Sequence, residues 1–114
     1  MESSSVNAVG IWFYSVSTHT YLDLMRNDPK HPGAWGLPGG KIEPGETLLA
    51  GMQRECDEEL GQMPGYQQLV PIEKFTSSDQ KFEYHTWVCV IDHEFQPQLN
   101  HEHHGYCWIQ MGHW

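Results

Sequence analysis

The sequence predicts a mixed α/β domain of the α+β kind, with several strands and one well-defined helix in the middle of the chain. Two observations predict it. Segments rich in β-branched and aromatic residues lie on both sides of the helical stretch. Between Thr47 and Gly61 no proline intervenes, and apolar residues recur at helical rather than alternating spacing. A length of 114 residues suits a single domain spanning 1–114, with one core and no spare chain for a second.

The elements follow in order. Residues 1–5 form a short polar tail, and V-N-A-V-G-I-W-F-Y (6–14) reads as a buried strand. A turn at 15–20 leads to a second strand at 21–26. N-D-P-K-H-P-G (27–33) is a loop by its prolines and glycine. A short strand at 35–37 delivers the chain to Pro38, Gly39 and Gly40. In the helix that follows, Thr47 is a good N-cap and Gly61 sits where a terminating glycine belongs. At about 100° per residue, Leu48, Leu49, Met52, Cys56 and Leu60 share a core-facing arc. Residues 62–66 form a loop, and 66–76 a strand bent at Pro71. T-S-S-D-Q-K (76–81) is a polar turn. The strand at 82–91 alternates Phe82, Tyr84, Thr86, Val88 and Val90 against Glu83, His85, Trp87, Cys89 and Ile91. The apolar-poor stretch 92–105 is a candidate functional loop by its length, and 106–109 is a final strand.

Composition removes several function classes. Fifteen acids against six bases give a net charge of −9, which disfavours binding to a nucleic acid polymer. A nucleotide is still compatible, because divalent cations screen both partners. No apolar run approaches the roughly 18–20 residues of a membrane span, and the N-terminus lacks the regions of a signal peptide. Cys56, Cys89 and Cys107, an odd number in apolar contexts, suit free thiols in a reducing cytoplasm. The H-E-H-H run at 101–104 lacks the paired Cys/His spacing of a zinc site.

The carboxylates of the helix carry the chemistry. Glu55, Glu58 and Glu59 fall on the arc beside the apolar stripe, since i, i+3 and i+4 positions stack. Three acids that close repel one another, and a divalent cation reverses the sign of that interaction. Oxygen ligands without His or Cys suit Mg²⁺, with Mn²⁺ as a substitute. Gly51, one turn before Glu55, costs roughly 1 kcal/mol against alanine in a helix interior. It is expected to leave room above the helix for metals and a polyphosphate.

The run Gly40-x5-Glu46-x7-Arg54-Glu55-Cys56-Asp57-Glu58-Glu59-Leu60-Gly61 resembles the Nudix box of the MutT-like pyrophosphohydrolases, G-x5-E-x7-R-E-U-x-E-E-x-G-U. Every fixed letter is present at its spacing. The two aliphatic positions depart, with Cys56 a small hydrophobe and Gln62 polar. W-G-L-P-G-G-K-I-E-P-G-E (35–46) also resembles the strand and loop preceding the box, and the looser likeness runs from about Ala8 to Trp108.

The resemblance implies the Nudix fold, a mixed sheet sandwiched between helices. Members usually carry a helix after the strand containing a tryptophan like Trp108, and here that helix is expected to be short or missing, which gives a reason to expect a homodimer. It also implies cleavage of a nucleoside diphosphate linked to another moiety X: a nucleoside triphosphate, ADP-ribose, a dinucleoside polyphosphate or a nucleotide sugar. Glu55, Glu58, Glu59 and the carbonyl of Gly39 would ligate the cations. Glu55 or Glu59 would take the proton of the attacking water, Arg54 would orient the carboxylates, and Glu46 would support the metal shell from outside. Gly39 and Gly40 would allow the close backbone turn. A general base outside the box points to N-H-E-H-H-G-Y-C-W, with Glu102 first and His101, His103 and His104 next. Arg26, Gly40 and Glu46 are the candidate substrate contacts. Trp12, Tyr14, Trp35, Tyr84 and Trp87 are the aromatics able to stack a base. Two other classes compete: a nucleotide-sensing module on the same fold, which would normally lose box carboxylates, and a metal-dependent isomerase, which would need a catalytic cysteine such as Cys89 or Cys107.

Overall fold

A computed structural model of the protein describes residues 5–27, 30 and 33–110. Most of the expected polar tail and parts of the proline-bearing loop lie outside the described residues. The order is β1 (Val6–Ser15), β2 (Thr20–Arg26), β3 (Trp35–Gly36), β4 (Gly39–Lys41), α1 (Leu48–Leu60), β5 (Gln68–Thr76), β6 (Phe82–Ile91) and β7 (His103–Gln110). All strands join one mixed sheet.

The sheet divides along β1. One edge of β1 pairs in parallel with β6 over its whole length, from Val6↔Phe82 to Ser15↔Ile91. On its other edge, β1 and β2 leave their turn paired at Tyr14↔Tyr21 and Ser15↔Thr20, then part. The segment between Trp35 and Lys41 enters that fork. It gives β3 to β2 through Met25↔Trp35, and β4 to β1 through Gly10↔Gly39. Gly39 has φ 144°, and a β-carbon there would overlap the Val9 carbonyl, so only glycine fits. β7 lies along β2 from Thr20↔Gln110 to Arg26↔His103, with a register shift between Met25 and Arg26. That pairing brings the start of β7 beside the end of β2.

The helix forms as its punctuation predicts. Thr47 Oγ1 accepts the Ala50 N–H at 3.1 Å, and Gly61, at φ 90°, donates its N–H to the Asp57 carbonyl at 3.1 Å. Met52, Cys56 and Leu60 close against Val9, Ile11, Phe13, Leu22, Leu24, Cys89 and Ile91 as one core. β1 contributes Val9, Ile11 and Phe13 through its two-residue repeat.

Several expectations need correction. Leu49 is 55% exposed rather than part of the stripe; Leu48 and Ile42 pack on the core near the start of α1, while Met63, Phe95 and Trp108 join it toward the helix's other end. Residues 39–41, expected as a loop, form a strand because Gly39 can approach β1. The last strand begins at His103, not at 106, so His103 and His104 are strand residues rather than loop residues. Gly51 does not open space above the helix: a β-carbon there would overlap Ile42 Cδ1, so this glycine is a close-packing contact. α1 is the only helix among the described residues, in keeping with a mixed α+β domain whose C-terminal helix is short or missing.

Candidate active site

The box helix aims two acids into the fold. Glu55 and Glu59 lie on its buried side, 9% and 1% exposed, while Glu58 points outward with its side chain 53% exposed. The Gly39 N–H donates to Glu59 Oε1 at 3.1 Å. Glu55 occupies space that Gly40 vacates, since a β-carbon on Gly40 would stand 2.5 Å from Glu55 Oε2. The Gly39-Gly40 pair therefore does two things: it lets β4 touch β1, and it seats both buried carboxylates.

Arg54 organises the exposed side of the cluster. Its Nε and Nη2 hold Glu46 in a two-pronged pair at 2.7 and 3.0 Å, and Nη2 also donates to the Lys41 carbonyl at 3.0 Å. Its Nη1 reaches Glu55 Oε2 and Glu58 Oε1, each at 3.3 Å. The bond from Arg54 holds the Glu46 carboxyl below the usual range, and the same bond raises the Arg54 pKa. Glu46 also accepts the Glu43 N–H at 2.9 Å. These contacts place Glu46 behind Arg54.

Burial pushes the Glu59 carboxyl well above its ordinary value. The Gly39 amide opposes that shift, whereas adjacent Glu55 and more distant Glu102 reinforce it. A nearly inaccessible acid with two acidic neighbours is the least settled group of the site.

A cavity of about 520 Å³ opens at the fork of the sheet. Glu59, Gly39 and Gly40 line one side, and Arg26, Asn27, His101, Glu102 and His103 line the rim built by β2 and the entry to β7. Asn27 secures that rim: its N–H donates to the Glu102 carbonyl and its side chain to the His101 carbonyl, both at 2.9 Å. The Asn100 side chain closes on Glu102, accepting its N–H at 3.0 Å and donating to Oε2 at 3.3 Å.

The cavity thus gathers Arg26, Gly39, Gly40, Glu59 and Glu102, which are scattered over 77 residues of sequence. Glu46, Glu55, Glu58 and Arg54 stand behind its wall, and His104 does not line it. Neither Cys89 nor Cys107 lines it either, which removes the feature that the isomerase reading needs. Sequence reasoning did not single out Asn27, whose role depends on the pairing of β2 with β7. Of the five candidate aromatics only Tyr84 reaches the cavity. Trp12 and Tyr14 stack on Tyr21 with ring centroids 4.8 Å apart, Trp87 packs on the core, and Trp35 is 48% exposed away from the cavity.

Among the described residues no group of three His, Cys, Asp or Glu side chains is already arranged around a common metal position. The donor set nevertheless fits a hard divalent cation. Glu55 and Glu59 are adjacent carboxyls shielded from water, and their mutual repulsion is what such an ion relieves.

Comparisons with known proteins bear on the fold and the family. The family model described as NUDIX domain matches residues 5–113. The nucleoside triphosphatase NudI of Escherichia coli is 32% identical over 90 residues, covering 69% of this chain. The chain spans 63% of that relative's length. A MutT protein from Methanosarcina mazei Go1 superposes with a TM-score of 0.68 at 25% identity, over 96% of this chain and 80% of that one. An Ap4A hydrolase from C. elegans, solved as a binary complex, gives 0.69 at 26% identity, over 90% and 79%. The match over nearly the whole length, on a mixed sheet carrying the box helix, means that the chain belongs to the NUDIX domain family.

Proposed function

We propose that this domain hydrolyses the diphosphate linkage of a nucleoside diphosphate joined to a further moiety X, using Mg²⁺ or, in its place, Mn²⁺. The observation that carries the reading is Glu59, a nearly inaccessible carboxyl at the wall of a cavity shared with Glu102 and backed by Glu55. An acid in that position destabilises the empty site unless a cation is to bind there. Family membership and the NudI relative, a nucleoside triphosphatase, support the same reaction class.

Glu55, Glu58, Glu59 and the carbonyl of Gly39 would hold the ion. When bound, it would place positive charge against the phosphate oxygens and make water more acidic. Arg54 fixes the directions of Glu55 and Glu58, and Glu46 fixes Arg54. Glu102 is the first candidate to accept the proton of the attacking water, and His101 and His103 stand beside it on the rim. Arg26, on the opposite strand end, offers a cation to a phosphate, and Gly40 lets substrate approach the backbone. One water is consumed, one P–O bond breaks, and the products are a nucleoside phosphate and the phosphate of X.

The charge of −9 favours a small nucleotide over a nucleic acid polymer. Free thiols at Cys56, Cys89 and Cys107 suit the cytoplasm. A homodimer accords with the sheet face opposite α1, where Trp12, Tyr14 and Tyr21 remain half-buried. The test is a panel of nucleoside triphosphates, ADP-ribose, dinucleoside polyphosphates and nucleotide sugars with Mg²⁺ or Mn²⁺, with products separated by chromatography. Metal-dependent release of a nucleoside phosphate from one class is expected. Binding of nucleotide with no turnover of any compound would replace the enzyme with a sensing module.

A further inference from the structure

We infer that Tyr84 is the side chain that meets the nucleobase, and that Gly10 positions it by leaving room for the ring over β1. The inference rests on the reading of the cavity as a nucleotide site and adds where the base goes. Three observations lead to it.

The first is the Gly10–Tyr84 fit. Gly10 lies in the middle of β1, where a residue with a side chain would be the ordinary choice for a strand. A β-carbon on Gly10 would overlap the Tyr84 hydroxyl, stand 2.8 Å from Cζ of the same ring, and approach Leu37 Cδ1 at 3.3 Å. The phenol therefore lies directly over the backbone of β1, in space that any other residue would fill. The second is the pairing of the strands. Ala8↔Tyr84 and Gly10↔Thr86 put the ring on the face of the sheet opposite α1, leaning along β6 toward the fork. The third is the composition of the cavity wall. Its acids and Arg26 suit phosphates and cations, whereas Tyr84 and Leu37 provide an aromatic and an aliphatic surface for a flat heterocycle. No other Phe, Tyr or Trp side chain lines the cavity among the described residues, and its two imidazoles, His101 and His103, stand on the rim beside Glu102.

Gly10 is a positioning residue here, acting through the ring it admits. Gly10→Ala displaces the ring from its seat on β1. Tyr84→Ala removes the platform and leaves the carboxylates in place. Tyr84→Phe keeps the platform and removes only the hydroxyl.

The experiment measures binding of ADP, GDP and inorganic tripolyphosphate in Mg²⁺ by calorimetry, and KM and kcat for the triphosphates of the same bases. Thermal melts run alongside. Tyr84→Ala is expected to weaken the nucleotides about tenfold or more, to leave tripolyphosphate within about twofold, and to raise KM while kcat changes little. Tyr84→Phe should restore nucleotide binding. Gly10→Ala should raise KM in the same way. If that variant melts early, adding Tyr84→Ala should recover the lost Tm, because the ring is what it collides with. Equal weakening of tripolyphosphate and nucleotides by Tyr84→Ala, or no weakening of either, overturns the inference while leaving the proposed activity intact. Failure of the unmodified protein to bind any of the three probes overturns both.

Discussion

Glu59 is the residue on which stability and activity pull apart. Its folded-state pKa is raised above the ordinary glutamate value of 4.5, so between that value and the raised one the folded protein binds more protons than the unfolded chain. The metal-free protein should therefore lose stability as pH climbs above about 4.5, and Mg²⁺ should restore part of it at neutral pH. Glu59→Gln removes the titrating group. It is expected to flatten that pH dependence and raise the metal-free Tm at pH 7, while lowering kcat by about a hundredfold or more. Melts from pH 4 to 8, with and without Mg²⁺, read this directly; an unchanged slope in the variant would remove Glu59 as its source. Two glycines make a second contrast at this scale. Gly40→Ala forces its β-carbon against the Glu55 carboxylate and should abolish most turnover. Gly51→Ala meets the flexible end of Ile42, gains about 1 kcal/mol of helix propensity, and should keep activity within a few-fold. Equal activities in the two variants would contradict the assigned geometry.

At the scale of the element, the helix was legible and the fork was not. Thr47, Gly61 and the spacing of Met52, Cys56 and Leu60 are local signals, and local hydrogen bonds answer them. Thr47→Ala should cost about 1 kcal/mol of stability with kcat unchanged, measured by urea unfolding beside the assay. Leu49 misled the periodicity because it shares the arc of Met52 and Leu60 yet is 55% exposed in the first turn, where Leu48 and Ile42 reach the core; the contacts of Met63, Phe95 and Trp108 are long-range and left no local signal. β4 was missed because its pairing depends on Gly39 meeting Val9, a contact thirty residues distant in sequence. Arg54 reaches Glu58, as their i, i+4 relation suggested, and also ties the loop at Glu46 to the helix, which that relation did not suggest. The box was readable because its spacing is set within a single loop and helix.

Across the whole molecule, the cavity exists because β1 and β2 separate and β7 returns along β2. Arg26 and Glu102 become neighbours only through that return, so sequence reasoning named each of them without a reason to join them. Asn27 locks the join through the carbonyls of His101 and Glu102. Glu102→Gln should lower kcat by about 10²–10⁴ if its carboxylate takes the proton, with nucleotide affinity retained; a rate within a few-fold of normal would move that role to His101 or His103. The same topology places two water-shielded carboxyls beside the cavity, in a protein already at −9. The most direct test is calorimetric titration of Mg²⁺ and Mn²⁺ into the metal-free protein at pH 7, with and without nucleotide, in two buffers of different ionisation heat. Saturable uptake with release of a proton, lost in Glu59→Gln, is the predicted result. Absence of uptake under every condition would contradict the account.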